Sequence, residues 1–405
     1  MIEDFFNSLL SFPTYWVVEK LEHDPLTDEV FIYVKFNTEE YKKKYPNLYH
    51  GLHDYNSYRT WQHLDILQYK TYIKARLPRI KDEKGHVNTL EPVWGKLSDR
   101  HTYLFERKVI DTLLATKNQT KTSSLLKCSF STVNRIIHQS TQRGLERRDK
   151  NIIYEKLSLD EKSFKKGHNY ITVLSNPITG EIIDVSEKRT KESCINLINS
   201  NLTTEQKGQV KQVSVDMWEA FINTVKELLP QSKIVHDRFH LIQYLNKAVD
   251  AVRRREVKTH KELINSRYAL LKNQFNLTLK QHYKFEEVLS INTKVSFAWR
   301  LKESFKSLFK SPNYHEAHSR FCDWRDFCNW EDIAEISKVT KMFTNHIVGV
   351  CNALVETLSN AMAERLNGKI QEIKTIGRGY RTFQNFRSAI LFFNGGLNLY
   401  PQKTR

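Results

Sequence analysis

Two stretches near the start of the chain carry the residue types that favour strands. Residues 30–36 are almost wholly β-branched or aromatic, and residues 69–77 alternate before Pro78 ends them. A charged turn spans 81–85. Beyond 98 the period lengthens to that of helices. One helix opens at Ser98-Asp99-Arg100 with Phe105, Val109 and Leu113 on one face, and a short one covers 121–126. After a turn at 127–130 a third begins at Ser131, with Val133, Ile136 and Ile137 facing inward. Two short helices joined by a tight turn fit a helix-turn-helix, although any small three-helix bundle shows the same spacing.

From 151 onward strand and helix alternate. Residues 153–159 and 170–174 read as strands, and Asn176-Pro177-Ile178-Thr179-Gly180 as the turn into a third at 181–185, a hairpin. A helix at 191–199, a strand at 210–215, a helix at 217–229, a strand at 233–236 and a helix from Leu241 follow. This order predicts an α/β fold, a mixed sheet covered by helices. Residues 245–345 contain no convincing strand and read as an all-helical insertion, with the aromatic cluster Phe321, Trp324, Phe327 and Trp330. The last segment is a helix from about 353, a basic stretch over 369–387 and an apolar helix over 389–393. The expected divisions are 1–97 (a small sheet module), 98–148 (helix-turn-helix), 149–244 (first part of the mixed-sheet core), 245–345 (helical insertion) and 346–405 (the core's last part).

Composition adds a partner. The 405 residues are 40% hydrophobic, ample for a sizeable core, and 63 Lys+Arg against 46 Asp+Glu leave a net charge of +17. A surplus of that size points to nucleic acid, because cations that neutralise phosphates release condensed counterions, although a merely basic soluble protein shows it too. Five cysteines with no C-x-x-C pair argue against a disulfide framework and a thiolate zinc site, and fit a reducing compartment. The acidic start Met1-Ile2-Glu3-Asp4 is unlike a signal peptide, and no run of about 18 apolar residues occurs. The expected location is cytoplasmic, with no membrane partner.

Against that positive background, three acids stand out. Asp160 lies in Leu157-Ser158-Leu159-Asp160-Glu161-Lys162 after an apolar strand, Asp216 ends Val213-Ser214-Val215-Asp216, and Glu364 sits in a helical segment. Carboxylates brought to one sheet edge repel unless a cation lies among them, and magnesium prefers oxygen ligands. Two divalent ions would relieve the repulsion and serve an in-line displacement at phosphorus. Taken singly, each acid is as well explained as a surface cap. Asp237-Arg238-Phe239-His240 follows the 233–236 strand and opens a helix, so Asp237 and His240 share a face. Asp237 is either the helix cap or part of the site, and His240 is placed to contact a phosphate or move a proton. His236 points the other way. Lys162, Lys165, Lys166 and His168 flank the first acid, while Lys369, Lys374, Arg378, Arg381 and Arg387 follow the last, interleaved with Tyr380, Phe383 and Phe386. Such runs usually stay solvated, but here they suit a DNA backbone. If the helix pair reads DNA, then Ser131, Thr132, Asn134 and Arg135 face base edges in the major groove.

In combination, the chain resembles DDE transposases of the ISL-three insertion-sequence group. The likeness rests on Leu159-Asp160-Glu161-Lys162-Ser163-Phe164 with Gly167-His168-Asn169-Tyr170, Val215-Asp216-Met217-Trp218, Asp237-Arg238-Phe239-His240-Leu241, Ala363-Glu364-Arg365-Leu366-Asn367, and the run from Gly379 to Arg387. It implies a ribonuclease H-like core interrupted by a helical insertion, with Asp160, Asp216 and Glu364 as a triad for two Mg²⁺ ions (Mn²⁺ as substitute). It also implies that Asp237 and His240 match the family's D-x-x-H element. The expected function is a transposase that binds its element's terminal inverted repeats and target DNA, acts as a homo-oligomer on DNA, and cuts and joins strands. A ribonuclease H-like nuclease or a helix-turn-helix regulator are the alternatives. Members of the group commonly carry an N-terminal zinc ribbon with two C-x-x-C knuckles. Here the matching stretches, Tyr45-Pro46-Asn47-Leu48 and Lys81-Asp82-Glu83-Lys84, lack cysteine, and His50 and His53 do not complete four ligands, so no zinc is expected.

Overall fold

The computed structural model describes residues 1–165, 169–291, 293–356 and 360–401, and of 360–364 the backbone alone. The chain forms two compact units. The first comprises Met1–Arg148 with Ile373–Phe393 and Leu397–Arg405; the second comprises Asp149–Glu372 with Asn394–Gly396.

The first unit begins with an aromatic-rich sheet. Strands β1 (Trp16–Asp24) and β2 (Glu29–Phe36) pair antiparallel, and β3 (Leu52–Tyr55), β4 (Arg59–Gln62), β5 (Lys70–Ala75), β6 (Pro78–Lys81) and β7 (Val87–Thr89) follow. Among the described residues they form two sheets, ordered β1-β2-β5-β4 and β3-β6-β7. Trp16, Trp61 and Trp94 meet edge to face at the core of the first sheet, with Ile32 and Ile73 fully buried in the same core. In the second sheet the Lys81 amide donates to the Gly51 carbonyl at 2.9 Å, and Arg79 pairs with Asp54. Backbone bonds and an ion pair hold this small sheet.

Three helices complete the N-terminal part: Tyr103–Thr116, Gln119–Leu125 and Phe130–Glu146. The first starts later than Ser98 because Thr102 is its cap, accepting from the Phe105 amide, while Ser129 caps the third. Their apolar faces meet through Val109, Ile110, Leu113, Val133, Ile136 and Ile137, but Phe392 and Leu399 are needed to close that core. They come from the helix Phe383–Asn394 and the residues after it. His138 bonds Asn385 and Ser388, Arg143 donates to the Leu399 carbonyl, and Tyr400 donates to Asp111. Gly144 is required at its place, since a Cβ there would lie 2.6 Å from the Leu397 Cβ.

The second unit is built on strands β8 (Lys156–Lys165), β9 (Asn169–Asn176), β10 (Glu181–Glu187), β11 (Gln212–Val215) and β12 (Lys233–His236). Among the described residues the sheet order is β10-β9-β8-β11-β12. The first three make an antiparallel meander, and β8, β11 and β12 run parallel. On one face, Leu157, Val213 and Val215 pack against the helices Lys191–Asn201 and Glu219–Leu228. On the other, Val235, in register with Ser214, joins a core that includes the helices Arg238–Glu256 and Ile347–Val355. Helices thus cover both faces of a mixed sheet. The described residues between Arg238 and Val355 are helical or irregular, and their core is filled by Phe285, Trp299, Phe305, Phe321 and Trp324. Each of the fully buried phenylalanines contributes about 1.5–3 kcal/mol.

Candidate active site

Strand register alone brings the first acids together. The parallel ladder between β8 and β11 ends at Leu159 opposite Val215, and that between β11 and β12 ends at Val215 opposite His236. The next residue on each strand is an acid, so Asp160, Asp216 and Asp237 stand level across three neighbouring strands about 4.8 Å apart. Asp160 is not beyond a strand end, as its place after residues 153–159 suggests. It lies midway along β8, because the hairpin partner β9 goes on pairing past the point where β11 stops, with Asp160 opposite Val173.

Asp237 caps the helix Arg238–Glu256, accepting from the Phe239 amide at 2.7 Å. One turn on, His240 comes back over the sheet edge: Nε2 lies 3.9 Å from Asp160 Oδ1 and Nδ1 lies 3.6 Å from Asp216 Oδ2. These three side chains are each less than one-fifth exposed. Lys162 Nζ lies 2.9 Å from the other Asp160 oxygen. Burial, together with the charges of Asp160 and Asp216, holds the Asp237 carboxyl above the usual carboxylate range while His240 pulls the other way. Negative charge is therefore crowded here. His236 lies beneath, buried, with Nδ1 3.2 Å from the Val215 carbonyl oxygen and its ring against Gly349; burial pushes its pKa down to about 4.

Two neighbours were missed in the sequence. Tyr244, one turn beyond His240, points its hydroxyl at Asp216 Oδ1 at 3.4 Å, and burial followed by that carboxylate's charge raises its pKa to about 12. Arg189 lies 4.4 Å from the Tyr170 ring centre and 4.6 Å from that of Trp218, and bonds Glu161 at 2.8 Å. The i, i+4 spacing of His240 and Tyr244 was a legible signal; Arg189 had none.

Glu364 lies on the helix Asn360–Ile376, but its side chain is outside the described residues, as are Lys166 and His168. Lys165 closes β8, and Lys369 is half-buried on the helix that carries Glu364. The remaining predicted DNA contacts belong to the first unit. There Ser131 and Thr132 share their hydroxyls with the cap Ser129, Asn134 is half-buried, Arg135 is exposed, and Lys374, Arg378 and Arg381 follow the third acid. Among the described residues no group of three His, Cys, Asp or Glu side chains stands arranged around a metal position. Nor is any described helix long and apolar enough to cross a membrane.

A mixed α/β fold with acids level at one sheet edge is the setting in which the comparisons fall: the family model that matches, over residues 157–390, is described as a transposase. That match spans more than half of the chain, which belongs to the ISL3 family of DDE transposases. Relatives agree. The transposase for insertion sequence element IS1557 of Mycobacterium tuberculosis is 25% identical over 356 residues, 80% of this chain and 79% of the relative. That for IS1001 of Bordetella parapertussis is 25% identical over 240 residues, covering 57% and 59%. A Drosophila P element transposase strand transfer complex aligns at 8% identity with a TM-score of 0.37, over 73% of this chain and 93% of that one.

Proposed function

We propose that this transposase binds the terminal inverted repeats of its own insertion sequence and cuts and joins DNA strands at Asp160, Asp216 and Glu364, on a core of the ribonuclease H-like kind. The observation that carries the reading is the level placement of Asp160 and Asp216 on adjacent parallel strands. Oxygen donors crowded at one edge, with Lys162 and His240 already drawn to them, form a set suited to a hard divalent cation. Mg²⁺ ions held there would supply charge stabilisation to the attacking and leaving oxygens of an in-line displacement. Asp160 and Asp216 hold and orient; the backbone ladder fixes them without needing loop closure. Asp237 fixes the start of its helix and so aims His240, whose ring is placed to contact a phosphate oxygen or pass a proton to a leaving one. The sheet meander followed by parallel strands supports the core assignment, and the family supports DNA as substrate. In this reading the enzyme works as a homo-oligomer that pairs two element ends.

The test is purified full-length chain with end-labelled element termini, with and without Mg²⁺ or Mn²⁺, and mapping of nicks and joined products. Cleavage at the element boundary followed by joining is expected, with Asp160→Asn and Asp216→Asn each at least about 10³-fold slower while melting like the parent. Cleavage without joining would leave a nuclease, and repeat binding with neither would leave a regulator.

A further inference from the structure

The first unit contains a cleft of about 970 Å³ built from two distant parts of the chain. One wall is the helix pair, with Lys117 and Lys121 ahead of the turn and Phe130 and Asn134 at the start of the helix Phe130–Glu146. The other wall is the turn that follows the helix Asn360–Ile376, with Arg378, Tyr380 and Arg381. The turn is tight: Arg378 and Gly379 have φ of +50° and +88°. It is also anchored, since Asn118 donates to the Ile376 carbonyl at 3.4 Å and His138 bonds Asn385 at 2.8 Å. Among the described residues lining the cleft there is no carboxylate, so cations face it from both walls. Phe130 is 53% exposed although it is the first residue of its helix.

We infer that this cleft seats one sugar–phosphate strand of duplex DNA, with the helix Phe130–Glu146 facing the major groove and the Arg378–Arg381 turn entering the adjacent minor groove. The inference rests on the proposed reading of DNA as partner and gives the C-terminal segment a share in sequence recognition. The geometry follows from DNA itself. The two grooves are separated by a single backbone strand, so a protein with a reading helix on one wall and a narrow basic turn on the other matches that strand and both its edges. Cations on both walls neutralise its phosphates, and the turn reverses over two successive positive-φ residues, Arg378 and Gly379, the second of which suits glycine. A free mononucleotide would need a closed pocket with aimed polar groups; this cleft is open, with cations on both walls and apolar residues such as Leu125 and Phe393 between them.

The experiment uses the full-length chain and a duplex bearing the element's terminal repeat. Arg378→Ala with Arg381→Ala is expected to weaken binding about 10–100-fold at 0.15 M salt, and to lower the slope of log affinity against log salt by about two. It is also expected to erase hydroxyl-radical protection in one minor-groove segment. Within that segment, exchanging A·T for I·C pairs alters the major groove and spares the minor one, so parent binding should hold within about twofold, whereas G·C should weaken it. Asn134→Ala should lose discrimination in the major groove and keep the minor-groove protection. Should the double variant melt below the parent, Lys121→Ala on the opposite wall reads the same cleft, with a loss of about 3–10-fold. Parent-like affinity and footprint in the folded variants, or I·C exchange as damaging as G·C, would overturn this inference alone. A parent chain that retards no duplex would overturn it together with the proposed function.

Discussion

The two units build their functional surfaces by different means. In the second, Asp160, Asp216 and Asp237 are set by the main-chain register of three adjacent strands, and each acid follows the last paired residue of its ladder. In the first, the helix pair is completed by residues some 250 positions further along, such as Leu399, which accepts from Arg143 across a separation of 256. A site fixed by backbone ladders tolerates side-chain change, because the hydrogen bonds that position it involve no side chain. A surface closed by a distant segment does not, because its docking rests on side chains: the apolar Phe392 and Leu399, and part-buried polar ones such as His138 and Arg143. Substitutions at the acid edge should therefore separate activity from folding, and substitutions at the terminal docking should lose both together.

Arg143→Ala breaks this comparison most directly. Arg143 joins the Leu399 carbonyl to Glu106, a carboxylate 1% exposed, through bonds of 2.5 Å to each. Burial pushes the Glu106 pKa up while Arg143 opposes it. Without the guanidinium an unpaired buried charge remains, so the first unit should lose about 3–5 kcal/mol and DNA binding with it. Because Glu106 can take up a proton, the loss should be smaller at pH 5 than at pH 8. Hydrogen exchange of the helices Tyr103–Thr116 and Phe383–Asn394 measures it. Parent-like protection there would mean that the terminal docking is dispensable.

The same contrast governs what was legible in the sequence. The sheet of the second unit was readable because parallel strands with buried faces are short apolar runs, and residues 233–236 coincide with β12. The hairpin of β9 and β10 was signalled by Asn176-Pro177 and Gly180, whose φ is +73°. The far end of β8 was not, since Glu161-Lys162-Ser163 is polar and becomes strand only because β9 supplies a ladder. In the first unit, β1 escaped because Glu19-Lys20 interrupts its alternation where the register shifts between Val18 and Lys20. The closure of the helix pair by Phe392 and Leu399 was invisible for a plainer reason: periodicity reports that a face is apolar, never which distant segment covers it.

Acid should act on both units, through different histidines. His236 in the second, and His63 and His101 in the first, are buried and held to pKa values of about 4, below their ordinary 6.5. The unfolded chain takes up these protons near pH 6.5 and the folded chain near 4, so stability is full above 6.5 and falls as pH descends through that window. The loss should be on the order of 1–3 kcal/mol per histidine. His236→Gln keeps a donor for the Val215 carbonyl and cannot charge. It should flatten the acid dependence of β11 and β12 in a pH series of hydrogen exchange, while leaving that of β4 and β5 as in the parent. A parent-like fall of β11 and β12 in the variant would show that His236 is not the group responsible.

The smallest effect is expected at Asp237, where the acid edge itself can be weighed. Its folded-state pKa is raised, chiefly by burial and then by Asp160 and Asp216. The folded chain therefore resists ionising this group, and the penalty is absent below the ordinary carboxylate value, grows as pH rises toward the raised one, and is constant beyond it. Asn at this position still caps the helix, since its side-chain oxygen accepts from the Phe239 amide as the carboxylate does. In chelator, Asp237→Asn should then be more stable than the parent at pH 7 by under about 1 kcal/mol, and equal to it at pH 3. Added Mg²⁺ should close the gap at pH 7, because a cation beside Asp160 and Asp216 stabilises the ionised neighbour that Asn cannot supply. Thermal melts with and without the ion decide it. A gap unmoved by Mg²⁺ would mean that no divalent charge enters this edge, and would count against the metal site more directly than any loss of turnover.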